Sequence, residues 1–518
     1  MNARKALKHL ATGAAIAALL GTVALTPAQA ELKKGGQLRY AYPSGPGTLD
    51  PFVSSSAVEL EVIQHLYDAL ITVGEKYETR PMIATSYEIA DNARTFTFKI
   101  RKDVKFHDGT PLTSADVLAS FERYKKVSTN AVIFADVASA TAPDPETFII
   151  KLNKTNSAFI DTLKAPVYPF VILPASQKDK PARGIDIIGT GPYKLKEWAK
   201  DSHLVLERFP GYVPNPAYKG TDGYAGSKVA YLDAITYRFI PEANGRVAAL
   251  QSDDADVVAN IPVDLAKRFE GDKRLVVQRV EPYCMQVLIV NSSQGATANA
   301  KVRQAINAAV DVDEITMATG DVAKKNPSLT YDFSPWYQGA KMKAYYDQKS
   351  PAKAAALLKE AGYKGETITL QSTAQYPNYR TTMVVLAELL KAAGMTVKVD
   401  LVDWTTNASN MQRGTGTWNV STTSFCSDPL LGPQKWRTQL YTFPQVKNDT
   451  VMDAAYERFF TSTDDDVRKK AWYEIENQVL SQAYVIKIAD LASTNAYNKR
   501  VEGFTPFILP RFWNVGLN

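Results

Sequence analysis

The sequence has few of the residues that build metal centres and covalent cross-links. Its 518 residues include 2 cysteines, Cys284 and Cys426, and 4 histidines. No two histidines stand at a spacing such as HxxxH, and no CxxC pair occurs, so the pattern argues against a zinc site. We therefore expect neither a metal ion nor a cofactor.

Long apolar runs are also scarce. The chain starts with basic Arg4, Lys5 and Lys8, continues with an apolar stretch, and reaches Ala28-Gln29-Ala30, an order typical of a cleavable signal peptide. No later run reaches the 18 apolar residues that a membrane-spanning helix needs. Neither cysteine stands at the predicted cleavage site, so we do not expect a lipoprotein. We expect residues 1–30 to be removed and the protein to be free in a bacterial periplasm, where disulfides can form.

The sequence has neither a strong charge nor an enzyme motif. Its formal net charge is +6, and three of its basic residues belong to the predicted signal peptide, so the balance argues against a nucleic-acid partner. The GxSxG and GxxxxGK[ST] motifs are missing. His107 and Asp108 are neighbours before Gly109, a pattern that favours a tight turn over a catalytic dyad. We therefore expect a protein that is not an enzyme.

Hydrophobic periodicity predicts an α/β protein. Residues 367–371 and 396–401 alternate as strands, and apolar residues between them follow helical spacing. Units of this kind normally form parallel strands joined by a right-handed crossover. Residues 301–317 predict one amphipathic helix. The strand-like runs Thr95–Ile100 and Thr147–Leu152 differ in pattern and indicate an inserted α+β region.

Several segments carry a resemblance to a known family. They follow one another in order: Gly36-Gln37-Leu38-Arg39-Tyr40, Leu49-Asp50-Pro51, Leu66-Tyr67-Asp68-Ala69-Leu70, Phe96–Arg101, Val104–Val117, Gly189–Leu195 and Val302–Ile306. In this order they resemble the bacterial periplasmic solute-binding proteins of ABC importers, family 5, the peptide/oligopeptide-binding type. The resemblance covers nearly all of the chain after residue 30.

The resemblance implies a two-lobed periplasmic binding protein of the venus-flytrap type with an additional inserted α+β domain. Lobe I would combine residues 31–77, 184–283 and 488–518. The inserted domain would be 78–183, and lobe II would be 284–487. Two strands near Tyr283 and Lys487 would join the lobes, and hinge closure would enclose a ligand between them. We expect a monomer that delivers its ligand to ABC permease membrane subunits.

The segment Phe425-Cys426-Ser427-Asp428-Pro429 resembles the aromatic-x-x-Asp turn of peptide-binding relatives, in which the aspartate holds the α-ammonium of the ligand. No basic residue adjoins Asp428 in the sequence, and an unpaired acid in such surroundings costs free energy unless a cation pairs with it. The alternative is that Asp428 only forms a turn before Pro429. The resemblance makes Phe425, Cys426, Ser427 and Asp428 candidate ligand contacts.

Other candidates follow from the same resemblance. Trp404 matches an aromatic residue that packs on ligand side chains in relatives. Arg413 or Arg380 could meet a ligand carboxylate, although Arg413 could equally be a solvated surface residue. Dipeptide-type relatives tend to carry an arginine near the position of Tyr376, itself a candidate contact, and its absence here argues against strict dipeptide specificity. Trp436 could contact an anionic or conjugated ligand or belong to the core of lobe II.

Three tyrosines and the two cysteines complete the predicted site. Tyr42, Tyr283 and Tyr484 could line the cleft from the hinge side or serve ordinary packing. Some peptide-binding relatives carry a disulfide that ties the anchor turn to a strand near the hinge. The resemblance therefore implies a bond between Cys284 and Cys426, with two buried free thiols as the alternative.

These features predict a receptor that captures a dipeptide, an oligopeptide or a related small solute. A receptor for a non-peptide ligand on the same scaffold remains the alternative, and that ligand could be an opine, an amino-acid conjugate or a metal complex. A peptidase on the same scaffold would need a nucleophile and a base that the sequence does not offer.

Overall fold

The computed structural model describes residues 32–54, 57–128, 130–167, 169–269, 271–320, 322–374, 376–426, 432–505 and 507–518. The predicted signal peptide, Ser427 and Asp428 lie outside these residues. No helix in the described ranges is long and apolar enough to cross a bilayer.

The described strands, in chain order, are β1 Gln37–Tyr42, β2 Ile71–Val73, β3 Thr79–Pro81, β4 Ala84–Ala90, β5 Thr95–Ile100, β6 Val137–Asp144, β7 Thr147–Leu152, β8 Tyr193–Ala199, β9 His203–Arg208, β10 Thr221–Asp222, β11 Ala225–Gly226, β12 Ala234–Phe239, β13 Val257–Val258, β14 Leu275–Val290, β15 Val322–Lys324, β16 Ile368–Ser372, β17 Val397–Leu401, β18 Val420–Phe425, β19 Val485–Asn498, β20 Val501–Glu502 and β21 Gly516–Leu517.

The described α-helices are α1 Ala57–Leu66, α2 Ser114–Val127, α3 Phe159–Leu163, α4 Ala243–Gln251, α5 Val263–Ala266, α6 Ala300–Ala309, α7 Val312–Thr319, α8 Gly339–Met342, α9 Pro351–Ala361, α10 Pro377–Ala392, α11 Trp404–Arg413, α12 Pro433–Thr442, α13 Thr450–Thr461 and α14 Asp465–Ser481.

One sheet connects both halves of the molecule. It runs in the order β17-β16-β18-β14-β19-β13-β1-β12-β9-β8, with β15 added to β19. The pairs β16–β17, β1–β12 and β1–β13 are parallel, as the α/β periodicity predicts. We call the part with β1, β8, β9, β12 and β13 lobe I, and the part with β16, β17 and β18 lobe II. Strands β14 and β19 belong to both parts, while the domain boundaries given above stay a prediction.

A separate four-stranded antiparallel sheet in the order β4-β5-β7-β6 packs with α2 and forms what we call the inserted region. Its helix α2 begins at a capping box, in which Asp116 accepts a hydrogen bond from the backbone N–H of Thr113 at 2.8 Å. The inner side chains of this sheet, Phe96, Phe98, Phe148 and Ile150, join the core of lobe I.

The region predicted as one helix over residues 301–317 is two helices, α6 and α7. Val310 leaves the helical conformation with φ −64° and ψ 127°, and the side chain of Asp311 accepts hydrogen bonds from the N–H groups of Asp313 and Glu314. An aspartate that caps two N–H groups begins a new helix. The apolar spacing was correctly interpreted as helical, but the prediction of a single helix is wrong.

Two glycines allow the chain to pass closely over the end of α1. A Cβ atom on Gly189 would stand 1.9 Å from the carbonyl oxygen of Leu66, and one on Gly191 would stand 2.3 Å from that of His65. His107 fixes the same segment, because its ring accepts a hydrogen bond from the Gly189 N–H at 3.1 Å and contacts the Gly191 carbonyl at 3.1 Å. The segment therefore fixes a packing position in lobe I.

Candidate ligand-binding site

Two long strands carry the chain between the lobes. Residues Leu275–Val280 of β14 pair with β19 in lobe I, and residues Cys284–Ile289 pair with β19 in lobe II. The pairing register shifts between Val280 and Cys284, so the regular ladder is interrupted at residues 281–283. An interruption of this kind, where the two strands pass from one core to the other, is suited to hinge motion.

A cavity of about 590 Å³ lies beside this interruption. Its walls come from residues 278–283 of β14, from lobe I residues including Tyr77 and Phe507, and from Phe333. Tyr77 stacks on Phe333 with ring centroids 5.4 Å apart and on Phe507 at 5.3 Å. The neighbour of Phe333, Tyr331, belongs to the core of lobe II, so this aromatic stack joins the two lobes beside the cavity. The volume is that of a site for a small molecule.

The inserted region also touches lobe II. The backbone N–H of Ser157 donates to the carbonyl of Phe460 at 2.9 Å, and the guanidinium of Arg468 lies 3.4 Å from the carboxylate of Asp161. Lobe II is thus in contact with the inserted region as well as with lobe I.

A smaller pocket shares a wall with the cavity. It has a volume of about 10 Å³, room for the centre of one water-sized group. Four residues line both spaces: Val280, Tyr283, Phe507 and Ile508. The remaining wall is rich in polar side chains, namely Tyr42, Glu61, Asn260, Ser493 and Asn495.

Glu61 is the charged residue of the smaller pocket. Its side chain is 1% exposed, and the hydroxyls of Tyr40 and Tyr42 lie within hydrogen-bonding reach of its carboxyl. Burial raises the pKa of this carboxyl to about 8, and the hydrogen bonds from the two tyrosines offset only part of that rise. The carboxyl is therefore protonated at neutral pH.

Three aromatic residues of lobe II form a cluster at the starts of α10 and α11. The ring centroid of Trp404 lies 5.2 Å from that of Tyr376 and 5.7 Å from that of Tyr379. Burial raises the pKa of Tyr283 to about 12, and the proximity of Glu61 and Tyr379 adds to the rise. Tyr283 is thus close to the carboxyl of Glu61 and to the hydroxyl of Tyr379.

A disulfide fixes the end of β18 to the interrupted part of β14. The sulfur atoms of Cys284 and Cys426 lie 2.04 Å apart. Next to the bond, Met285 pairs with Phe425 in the antiparallel ladder of β14 and β18. Cys284 directly follows Tyr283, so the bond holds the chain at residue 426 beside the cavity wall.

Comparison with known proteins identifies the family. Residues 78–445 match the family described as "Bacterial extracellular solute-binding proteins, family 5 Middle". The chain belongs to this family. The family assignment made from the sequence is therefore confirmed. Family 5 proteins capture a small solute between two lobes for a peptide-type ABC importer, and this family 5 protein has that function.

This family 5 protein is similar to the glutathione-binding protein GsiB of Shigella dysenteriae serotype 1 (strain Sd197) and of Escherichia coli (strain K12). Each is 27% identical over 491 residues, which cover 89% of this chain and 90% of the relative. Among solved structures it resembles AgaA from A. tumefaciens R10 in complex with agropinic acid, with 25% identity and a TM-score of 0.75. The match covers 93% of this chain and 99% of AgaA. The oligopeptide-binding protein AppA from Bacillus subtilis, in complex with a nonapeptide, has 21% identity and a TM-score of 0.74, and the match covers 94% of this chain and 100% of AppA. These likenesses confirm the two-lobed α/β fold, and the named relatives are binding proteins.

The structure brings some of the predicted site residues of this family 5 protein together. Tyr42 and Tyr283 line the smaller pocket, and Tyr376 adjoins Trp404. Arg380 is exposed in the first turn of α10, four residues after Tyr376. These placements are compatible with ligand contacts, whose assignment stays a prediction.

Two predicted arginines lie apart along the chain. Arg413 is the last residue of α11, nine residues after Trp404, so the helix rise separates their backbones by about 14 Å. Arg380 adjoins the aromatic cluster, whereas Arg413 is exposed at the opposite end of its helix.

Phe425 and Trp436 lie in the core of lobe II. Trp436 is 0% exposed and packs edge-on against Phe425, with ring centroids 5.0 Å apart, while Phe425 also stacks on Phe443 at 5.7 Å. Since the ladder of β18 turns the side chain of Phe425 inward, these two aromatic rings face each other rather than the cavity. Both rings are therefore packed in the core of lobe II, which is the alternative given above for Trp436.

The prediction that Tyr484 lines the cleft from the hinge side is wrong. The backbone N–H of Val290 donates to the Tyr484 carbonyl at 3.0 Å, and Val290 is six residues beyond Cys284 on β14, about 20 Å along the strand. The hydroxyl of Tyr484 donates to Asp449 at 3.1 Å, and its ring packs under Arg303 at 4.8 Å. Tyr484 is therefore a packing residue at the far end of lobe II.

Two residues of the site were missed from the sequence. Tyr379 follows Tyr376 by one helical turn, and this spacing after Pro377 was a usable signal. Glu61 stands in α1 between buried Leu60 and Val62, and an acid inside such an apolar run was a second signal.

The wild type should lose stability relative to the Glu61→Gln variant as the pH rises from about 4.5 to 8. Below this range the carboxyl is protonated in both the folded and the unfolded state. Within it the unfolded chain releases the proton while the folded protein keeps it, because burial raises the pKa of Glu61 to about 8. The unfolded state then binds fewer protons, so stability falls with pH until about pH 8.

Urea unfolding of both proteins at pH 5, 6, 7 and 8 measures this difference. The matched control is Glu476→Gln, a buried glutamate of lobe II whose pKa is raised to about 7 by burial and whose carboxyl accepts from Ser328 and Leu329. The difference in the free energy of unfolding between Glu476→Gln and the wild type should stop growing near pH 7. A pH-independent difference for Glu61→Gln would contradict the assignment of a raised pKa.

Proposed function

We propose that this family 5 protein is a monomeric periplasmic receptor for a peptide or peptide-like solute with a free α-ammonium group, exported by its signal peptide and not attached to lipid. It captures this solute between its lobes, releases it unchanged to the permease and performs no catalysis. The observation that carries the proposal is the cavity of about 590 Å³ at the crossing strands, beside the disulfide that holds residue 426.

Asp428 is the proposed partner of the α-ammonium. It stands two residues after Cys426, so chain connectivity keeps their Cα atoms within about 7 Å of each other. The aromatic residues Tyr376, Tyr379 and Trp404 would pack on the ligand, and Arg380 would meet its carboxylate. A fixed anion, a cation and aromatic surfaces together match the chemistry of a short peptide.

The Asp428→Ala variant should bind free-amine peptides about 30-fold or more weakly, since removing one partner of a buried charge pair costs about 2 kcal/mol or more. It should bind the same peptides with acetylated N-termini as the wild type does. Isothermal titration calorimetry with matched free and acetylated peptides measures both affinities. Asp466→Ala, which removes an exposed acid of α14, is the control and should change neither. Equal losses for both ligands would contradict the role of Asp428.

A non-peptide ligand is the second candidate. It is favoured by the likeness to AgaA, whose structure holds agropinic acid. Native mass spectrometry of protein purified without denaturation would identify a retained ligand by its mass. A peptide mass supports the first proposal, and the mass of an opine or amino-acid conjugate supports the second.

A further inference from the structure

Among the described residues, Glu61 has no cation beside it that would neutralise its charge. Its neighbour Glu59 accepts a hydrogen bond from the Gly47 N–H at 2.8 Å. Glu61 has the hydroxyls of Tyr40 and Tyr42 within hydrogen-bonding reach, and these groups carry no positive charge. A buried carboxyl on the wall of a pocket that faces hydroxyls and no cation is suited to pair with a cation of the ligand.

The groups around Glu61 leave its charge without a cation. From β1 it faces Tyr40 and Tyr42, and Tyr237 of β12 and Tyr283 of β14 lie close to it. These are neutral hydroxyl groups at physiological pH, because burial raises the pKa of each of them.

Two basic groups near Glu61 are already occupied or neutral. His65 on the same helix contacts the Glu61 carbonyl through Nδ1 at 2.8 Å and accepts from the Phe512 N–H through Nε2 at 2.9 Å, and burial lowers its pKa to about 3. Arg246, beyond the tyrosines, donates to the carbonyls of Ile240, Pro241 and Asn260. Neither group can therefore pair with Glu61 if its carboxyl ionises, and a cation of the ligand could take that place.

The shape of the pocket selects the kind of cation. A volume of about 10 Å³ accepts one group of the size of water, which fits a primary ammonium but not a planar guanidinium. The wall shared with the cavity is formed by Val280, Phe507 and Ile508 with the ring of Tyr283, and such a wall suits a chain of methylene groups.

We infer that the smaller pocket binds a primary ammonium on a side chain of the ligand, paired with the carboxylate of Glu61. This inference rests on the proposed function and narrows its ligand to peptide-like solutes with an amino-alkyl side chain, of the lysine or ornithine type. The ligand's own α-ammonium is assigned to Asp428, so the two acids recognise two different amines.

Binding then couples to proton release. The carboxyl of Glu61, protonated in the ligand-free protein, must ionise to pair with the ammonium, so the proton leaves to solvent. Affinity for the amine should rise up to tenfold per pH unit below about pH 8 and level off above it. A neutral ligand that needs the protonated carboxyl as a donor would show the opposite trend.

The test uses three peptides that differ at one side chain, Ala-Lys-Ala, Ala-norleucine-Ala and Ala-Arg-Ala. The wild type should bind the lysine peptide about 30-fold or more tightly than the other two. Glu61→Gln should remove this preference by weakening the binding of the lysine peptide. Glu476→Gln, a buried glutamate outside the pocket, should keep the preference. Calorimetry in two buffers of different ionisation enthalpy at pH 6.5 should show release of about one proton with the lysine peptide alone.

Equal affinity for the lysine and norleucine peptides would overturn the inference and leave the proposed function intact. The inference would also be overturned, and the proposed function left intact, if the loss of affinity in Glu61→Gln depended on whether the α-amine is acetylated and not on the side chain of the peptide. If no peptide binds, the proposed function fails, and n-butylammonium then decides the inference. It should raise the melting temperature of the wild type but not of Glu61→Gln, and equal shifts for both proteins would overturn it.

Discussion

Replacing Arg123 with methionine is expected to lower the free energy of unfolding by about 3–5 kcal/mol. Its guanidinium lies 2.5 Å from the carboxylate of Asp50, and the two side chains are 0% and 1% exposed. Methionine fills much of the space of the arginine but leaves the charge of Asp50 buried. The remaining contact of that carboxylate oxygen, the backbone N–H of Arg183 at 2.9 Å, cannot neutralise it.

The pair is costly to break because it joins three segments of the chain. Asp50 follows β1 of lobe I, Arg123 stands in α2 of the inserted region, and Arg123 also donates to the carbonyls of Lys180 and Pro181. These carbonyls belong to the segment by which the chain returns toward lobe I. Loss of the guanidinium therefore loosens the inserted region and lobe I together.

Urea unfolding followed by circular dichroism measures the effect. Arg458→Met is the matched control. The side chain of Arg458 is 46% exposed and makes an ion pair with Glu474, so this substitution should lower the free energy of unfolding by at most about 1 kcal/mol. The double variant Asp50→Asn with Arg123→Met should recover part of the loss, since no charge then remains buried. A loss for Arg123→Met no larger than that of the control would contradict the argument.

The sequence predicted the parts of the fold that depend on local patterns. Alternation at 95–100 and 147–152 corresponds to β5 and β7, and helical spacing around Met383 corresponds to α10. The same kind of spacing led to the wrong prediction of one helix over residues 301–317. Hydrophobic periodicity shows which face of a helix is buried, but it does not show where a capping residue begins a new helix. Asp311 with Glu314 three residues later is a cap signal in the sequence, and it outweighs the continuous apolar stripe.

The site was less predictable because it depends on contacts between distant segments. Tyr484 directly precedes β19, but the sequence does not show which end of this strand lies near the hinge. The pairing of β19 with β14 places Tyr484 at the end of lobe II away from the hinge. A tryptophan beside an arginine is typical of a ligand contact, yet packing against Phe425 buries Trp436. The surroundings of Glu61 are formed by Tyr40, Tyr42 and Tyr283, which lie on two other strands, so its role could not be predicted from α1 alone.

Replacing both cysteines with serine is expected to lower the free energy of unfolding by about 2–5 kcal/mol. The bond joins residues 142 positions apart, so its loss frees a long loop in the unfolded chain. In the folded protein the β14–β18 ladder continues through Met285 and Phe425, so the variant should keep its fold. The loss should therefore appear as a shift of the unfolding midpoint.

The double serine variant should also bind free-amine peptides more weakly. The bond holds Cys426 beside Tyr283, and Asp428, the proposed partner of the α-ammonium, follows two residues later. Loss of a constraint next to a binding group costs binding free energy. The affinity for N-acetylated peptides should change less, because they have no α-ammonium to pair with the proposed partner. Reduction of the wild type with dithiothreitol should reproduce both effects and leave the serine variant unaffected. Two free thiols in the native oxidised protein, or an unchanged unfolding midpoint in the variant, would contradict this role of the disulfide.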